Sequence, residues 1–106
     1  NHMPALLLPG MTVTNEPGVY KAGRYGVRTE NTMLIVKDQT TEFGEFYKFE
    51  PLTLCPIDLK PLLPELLSPE EKEWLNSYHQ QVYTSLSPFL PQAQKEWLAN
   101  ATMAVR

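Results

Sequence analysis

Thr12-Val13-Thr14-Asn15-Glu16-Pro17-Gly18, the polar link Lys21-Ala22-Gly23-Arg24, and Gly26-Val27-Arg28-Thr29-Glu30-Asn31 running into Met33-Leu34-Ile35-Val36 form the stretch whose reading decides the fold. Pro17-Gly18 reads as one turn and the Lys21–Arg24 link as a second polar reversal, because Gly, Pro and short polar residues punctuate extended chain. Segments joined in this way lie antiparallel and adjacent. That arrangement brings Glu16 and Glu30 to one surface, and two oxygen donors on neighbouring strands are half of a dinuclear metal site.

Parity sorts the second segment. Side chains alternate faces along a strand, and alternate residues lie about 7 Å apart. Arg28, Glu30, Thr32, Leu34 and Val36 therefore share one face, and Val27, Thr29, Asn31, Met33 and Ile35 share the other. A charged pair on an aliphatic face has two readings. One is an ion pair on a solvated sheet, contributing about 0–1 kcal/mol. The other is a metal-binding carboxylate whose outer oxygen Arg28 steers, as ligands need. On spacing alone the solvated ion pair is the better reading.

The strings themselves add what spacing does not. Thr14-Asn15-Glu16-Pro17-Gly18 and Gly26-Val27-Arg28-Thr29-Glu30-Asn31 resemble the last two ligand motifs of the Xaa-Pro aminopeptidases, the aminopeptidase P branch of the M24 or pita-bread metallopeptidases. The resemblance continues through Phe49-Glu50-Pro51-Leu52-Thr53-Leu54-Cys55-Pro56-Ile57-Asp58. Trp74-Leu75-Asn76-Ser77-Tyr78-His79, Leu86-Ser87-Pro88 and Trp97-Leu98 carry it to about Val105. Each motif is short, but their order is specific.

The resemblance implies a partial pita-bread fold and a hydrolase that binds two divalent metal ions, commonly manganese, through two aspartates, one histidine and two glutamates. Glu16 and Glu30 match the two glutamates. Glu30 matches the position that bridges both ions, and Glu16 the ligand that also exchanges a proton with the nucleophile. Arg28 would hold a carboxylate from behind. The implied substrates are peptides with proline second, cut after the first residue. The remaining ligands belong upstream, and neither His2 nor His79 sits in a motif matching the ligand histidine. The chain is thus expected to be the C-terminal piece of a larger enzyme, inactive alone.

Length and composition agree. With 106 residues, a single small domain with a modest core is expected. Ten prolines, several of them between Pro51 and Pro69, make part of the middle irregular. A net charge of −3 without a basic block argues against nucleic acid or an anionic membrane surface as partner. No apolar run approaches the roughly 18 residues of a membrane span. The single Cys55 cannot form an internal disulfide and suits a reducing cytoplasm. Asn1-His2-Met3 reads as a cloning remnant and is set apart from the fold. Residues 4–45 are then expected to end the catalytic domain, and 46–106 to form the M24 C-terminal region.

In order along the chain, Met11–Thr14 reads as a strand and Tyr25–Lys37 as the longest strand. Asp38–Glu42 reads as a reversal, and Phe46–Cys55 as a third strand with Pro51 at an edge or bulge. After a proline-punctuated connector the period changes. Ser68-Pro69-Glu70-Glu71 is a capping box with proline at the first helical position. Trp74, Leu75, Tyr78, Val82, Tyr83 and Leu86 recur at helical spacing, and Ser87-Pro88 ends that helix. A second helix is expected from Gln92 to Met103, with Ala93, Trp97, Leu98 and Ala101 on its stripe. The expected fold class is α+β, a three-stranded antiparallel sheet followed by a C-terminal helical hairpin.

Other chemistry-bearing residues have plain readings. His79 has no second ligand at helical spacing and reads as structural. Trp74 and Trp97 fall on apolar stripes and read as core anchors. Cys55 lacks an accompanying base. Two other functions stay open: a non-catalytic binding or assembly module on the same fold, as in a histone-chaperone domain, and a prolidase- or creatinase-like hydrolase. A sheet edge and apolar face lacking their covering elements would make the chain a homo-oligomer.

Overall fold

The computed structural model describes residues 5–106, so the reading of Asn1-His2-Met3 as a remnant lies outside the described residues. The chain forms two compact units, one ending at Thr53 and one spanning Leu54–Arg106.

The first unit contains β1 (Thr12–Asn15), β2 (Gly18–Lys21), β3 (Tyr25–Arg28), β4 (Asn31–Thr41) and β5 (Gly44–Pro51). β4 is the centre of a three-stranded antiparallel sheet of order β1-β4-β5, as expected, while β2 and β3 pair as a separate two-stranded ribbon. Ile35 on β4 is the buried residue among the described residues of this unit, 2% exposed. Its carbonyl accepts from Gly10 N–H and its N–H donates to Met11 O, both at 2.9 Å.

The expected single strand Tyr25–Lys37 is corrected to two strands interrupted at Thr29-Glu30, opposite a matching interruption at Glu16-Pro17. Proline has no N–H for a ladder, so pairing lapses there, although the Pro17 carbonyl still accepts from Thr29 N–H at 3.2 Å. Pro17-Gly18 does not turn the chain either. The reversal comes at Ala22-Gly23-Arg24, where Gly23 has φ +70 and Arg24 N–H donates to Lys21 O at 3.0 Å.

The reversal read at Asp38–Glu42 sits later. β4 runs to Thr41, the register slips between Lys37 and Gln39, and Glu42-Phe43 makes the turn before Gly44 at φ +121. Asp38 is a bulge that meets Lys48 at 3.6 Å instead of forming the turn. Pro51 lies on the edge strand β5 opposite Met33, where a missing donor is tolerated. Just beyond it, Leu52 N–H donates to Thr32 O at 2.8 Å, and Thr32 N–H donates to Thr53 Oγ1 at 2.9 Å.

The second unit holds a 3-10 turn at Pro64–Leu66, α1 (Pro69–Leu86), a second 3-10 turn at Ser87–Phe89 and α2 (Gln92–Ala101). The capping box is as read: Ser68 Oγ accepts from Glu71 N–H at 3.1 Å, and Glu71 Oε2 accepts from Ser68 N–H at 2.8 Å. α2 ends two residues before Met103, with the Thr102 hydroxyl donating to Leu98 O at 2.7 Å. The side chain of Asn76 bonds both backbone groups of Val105, at 2.7 and 3.0 Å.

The core of this unit is Tyr78, Val82 and Leu98, with Leu54, Ile57, Tyr83, Leu86 and Leu90 packed on it. Trp74 and Trp97 are corrected as core anchors, at 51% and 64% exposed. The buried arc of α1 is Leu75, Tyr78, His79 and Val82; three of these lie on the expected stripe, and His79 is buried where Trp74 was expected. Trp74 keeps part of its area covered by stacking on Tyr78, with centroids 5.4 Å apart.

His79 takes the place the tryptophans were given. It is fully buried, and its Nε2 accepts from Ile57 N–H at 2.9 Å. The accepting nitrogen carries no proton, so the neutral ring is protonated at Nδ1, which has no hydrogen-bond partner among the described residues. The Tyr78 hydroxyl donates to Cys55 O at 3.0 Å. Two successive helical side chains thus hold the connector at Cys55 and Ile57.

Burial lowers the His79 pKa from its ordinary 6.5. Below 6.5 the unfolded chain then binds the proton more readily than the folded one, so this contribution to stability is complete above 6.5 and is lost as pH falls toward the folded value. Thermal melts should therefore show a fall in midpoint between pH 6.5 and pH 5 that is smaller in His79→Gln. Parallel profiles for the two proteins would refute this.

Candidate metal centre

Three residues were singled out as site residues: Glu16, Arg28 and Glu30. All three are exposed and lie at the break between the two ladders of the first unit. The register does not change across that break. Asn15 faces Asn31 on one side of it, and Gly18 faces Arg28 on the other. The residues between must then face each other, Glu16 opposite Glu30 and Pro17 opposite Thr29. The Thr29–Pro17 hydrogen bond fits this register. Residues facing across an antiparallel pair have Cβ atoms about 4.5–5.5 Å apart, so the two carboxylates occupy adjacent positions.

Arg28 is two residues from Glu30, and its Nε lies 3.5 Å from Glu30 Oε2. The guanidinium thus engages one oxygen of Glu30. Both partners are substantially exposed, at 55% and 39% of their side chains, so the pair adds little to stability. Its chemical consequence is to orient the carboxylate and offset one of two neighbouring negative charges.

This donor set fits a hard divalent cation as far as it goes: carboxylate oxygens suit manganese, magnesium or calcium rather than a soft metal. Among the described residues no group of three or more His, Cys, Asp or Glu side chains is placed to hold an ion. The two carboxylates could therefore supply only part of a donor set. His79 is taken up by Ile57, and Cys55 is an exposed free thiol with its Sγ 3.7 Å from Pro56 O. Neither joins the site.

A neighbouring feature escaped the sequence reading. The Tyr20 side chain fills the space over Gly18 and Gly26, so closely that a Cβ at either position would come within 2.6–2.8 Å of its atoms. The available signal was the alternation Glu16-x-Gly18-x-Tyr20 facing Gly26-x-Arg28-x-Glu30, which places two glycines around one aromatic ring.

Known proteins repeat this arrangement of sequence and fold. Residues 45–105 match the C-terminal region of peptidase M24, and residues 1–37 match metallopeptidase family M24. Aminopeptidase P1 of Arabidopsis thaliana is 42% identical over 99 residues, covering 90% of this chain and 15% of the plant protein. Xaa-Pro aminopeptidase 1 of Dictyostelium discoideum is 37% identical over 103 residues, covering 92% of this chain and 16% of its own length. A crystal structure of X-prolyl aminopeptidase from Caenorhabditis elegans, described as a cytosolic enzyme with a di-nuclear active site, superposes with a TM-score of 0.81 at 33% identity. That match covers 93% of this chain and 17% of the nematode one. The chain therefore spans roughly a sixth of the length of such relatives.

Because the Arg28–Glu30 pair is exposed, Arg28→Ala should change the unfolding free energy by less than about 1 kcal/mol in urea titrations. A loss several times larger would mean that the pair holds the hairpin together rather than orienting Glu30.

Proposed function

The chain belongs to metallopeptidase family M24, whose C-terminal region it carries, and on that premise we propose that it is the C-terminal part of a dinuclear-metal aminopeptidase cleaving the N-terminal Xaa-Pro bond. The observation that carries this reading is the facing pair Glu16 and Glu30 in an unbroken register, with Arg28 Nε 3.5 Å from Glu30 Oε2. The three relatives compared above, all named as aminopeptidases P or X-prolyl aminopeptidases, support the substrate class.

In this reading Glu16 and Glu30 supply two oxygen ligands of a pair of divalent cations, manganese by preference for hard donors, and the other donors come from elsewhere in the enzyme. The cations, when bound, lower the pKa of an attacking water and polarise the scissile carbonyl. Glu30 would be a ligand to both cations when they are bound. Arg28 keeps that carboxylate in a single orientation. Glu16 also accepts the proton of the attacking water and passes it toward the departing amine, a general acid–base role. The substrate is a peptide with proline at its second position.

Residues 4–45 would close the catalytic domain and 46–106 form the C-terminal region, with residues 46–51 of that region completing the sheet as part of β5. No helix among the described residues is long and apolar enough to cross a membrane. A cytoplasmic place is proposed from the cytosolic description of the nematode enzyme. Nucleic acid and membrane are not expected partners of so weakly acidic a surface. Self-association is: β5 is an edge strand, and Phe46, Tyr47 and Phe49 along it are each at least 40% exposed.

In the full-length protein carrying this region, Glu16→Gln and Glu30→Gln should each cut Xaa-Pro peptide cleavage by two orders of magnitude or more, with manganese content reduced; cleavage within about tenfold of the parent would defeat the assignment. The 106-residue chain alone should bind manganese weakly, and tight two-site binding by calorimetry would contradict the partial donor set. Light scattering of that chain should show dimers or larger species as concentration rises, and a strict monomer at high concentration would remove the oligomer proposal.

A further inference from the structure

β5 ends at Pro51, and the second unit begins at Leu54. The two residues between them make the last bonds to β4. Met33 faces Pro51, so the next facing pair in that register is Thr32 with Leu52. Facing residues of a hydrogen-bonded antiparallel pair exchange both backbone bonds. Half of that exchange is present, since Leu52 N–H donates to Thr32 O at 2.8 Å. The other half is taken by a side chain: Thr32 N–H donates to Thr53 Oγ1 at 2.9 Å instead of to a carbonyl. Threonine hydroxyls can offer the backbone such an alternative to the ladder. The exchange frees the main chain to leave the sheet after Leu52 without stranding a part-buried donor.

The place of this rung bears on the carboxylates. Backbone groups of a central strand point alternately to its two neighbours. Thr29 and Ile35 bond toward Pro17, Gly10 and Met11, whereas Thr32 bonds toward the chain leaving β5. Glu30 has the parity of Thr32, so its backbone faces the side from which β5 has already departed. The Thr32 rung is thus the last fixed point on that side, two residues from Glu30. Arg28 acts at the outer end of the Glu30 side chain, with Nε 3.5 Å from Oε2. Thr53 acts on the main chain that carries it.

We propose that Thr53 is a positioning residue of the Glu16–Glu30 centre: its hydroxyl closes the final rung between β4 and the end of β5, and so fixes the backbone from which Glu30 reaches the cations. Residues that hold a ligand in place from outside the coordination sphere set metal affinity as well as geometry. This rests on the proposed function of Glu30, and the test separates the two.

The full-length protein carries Thr53→Val, which keeps the branched shape and removes the acceptor, or Thr53→Ser, which keeps the hydroxyl. Glu30→Gln is the reference, and Ile35→Val is a control that loosens the same sheet through its core. Thr53→Val should lower kcat for an Xaa-Pro peptide by about fivefold with KM unchanged, and weaken manganese binding in calorimetry by a similar factor, as expected for one hydrogen bond. Thr53→Ser should restore both. Without added metal, hydrogen exchange read by mass spectrometry should show the Thr32 amide protected in the parent and in Thr53→Ser, and faster in Thr53→Val. Ile35→Val should lower the melting temperature and leave kcat and manganese affinity as in the parent. Thr53→Val with parental kcat and manganese affinity, beside an inactive Glu30→Gln, would overturn the inference. So would equal losses in Ile35→Val, a loss in Thr53→Ser as deep as in Thr53→Val, or an unprotected Thr32 amide in the parent, and the last two hold even if Thr53→Val does not fold. A Glu30→Gln protein as active as the parent would place the failure with the proposed function.

Discussion

A constant strand register across an interrupted ladder is the constraint on which the first unit depends. Thr12 faces Leu34 at one end, and Lys21 faces Tyr25 at the other. Without a bulge between these ends, every intervening residue has one permitted partner. A slip of one residue would carry side chains to the opposite face and separate Glu16 from Glu30. Pro17 is what allows carboxylates at this point. It removes a ladder donor where pairing would otherwise continue, yet leaves its carbonyl to receive Thr29 N–H, so the register is kept across the break.

The second unit solves a different problem, the attachment of an irregular, proline-rich connector. Such a segment has few backbone donors to exchange with a sheet, so the helix side chains supply the partners. Tyr78 and His79, adjacent on α1, take the Cys55 carbonyl and the Ile57 N–H. A histidine is suited to accept from a backbone N–H in a dry place because its neutral ring presents a lone pair without a charge. The cost is a buried Nδ1 without a partner among the described residues, and the dependence of this contact on the ring staying neutral.

Much of this was legible in the residues, and the parts that were not have physical reasons. The capping box at Ser68, the stop at Ser87-Pro88 and the edge position of Pro51 follow from single-residue backbone rules, and the structure has each of them. The α+β class and three-stranded sheet followed from period changes alone. The facing of Glu16 and Glu30 was legible only in outline, because a hairpin can be read while its register cannot. The break at Thr29-Glu30 was missed because it is imposed by Pro17 on the opposite strand, a cross-strand effect that a one-dimensional pattern of β-branched residues does not contain. Trp74 and Trp97 were misplaced for a similar reason. Hydrophobic spacing gives the angular width of an apolar stripe, but not which edge of it the neighbouring elements cover, and here His79 lies on the covered edge.

Glu16 and Glu30 are both exposed, and their facing positions need a local offset. Two like-charged carboxylates in adjacent cross-strand positions disfavour the hairpin by themselves. The ribbon meets this with local means: the Arg28 cation against Glu30, an open face that lets water solvate Glu16, and a turn closed by Gly23 at positive φ that does not depend on the acidic end. If the pair is the half-site proposed, the hairpin would keep its shape before any cation arrived, because the forces that set its register lie in the ladders on either side and not in the carboxylates. Cation binding would then have less chain to order, and more of its free energy would remain for holding the ions. The register of the hairpin is in this sense set by residues other than the two proposed ligands.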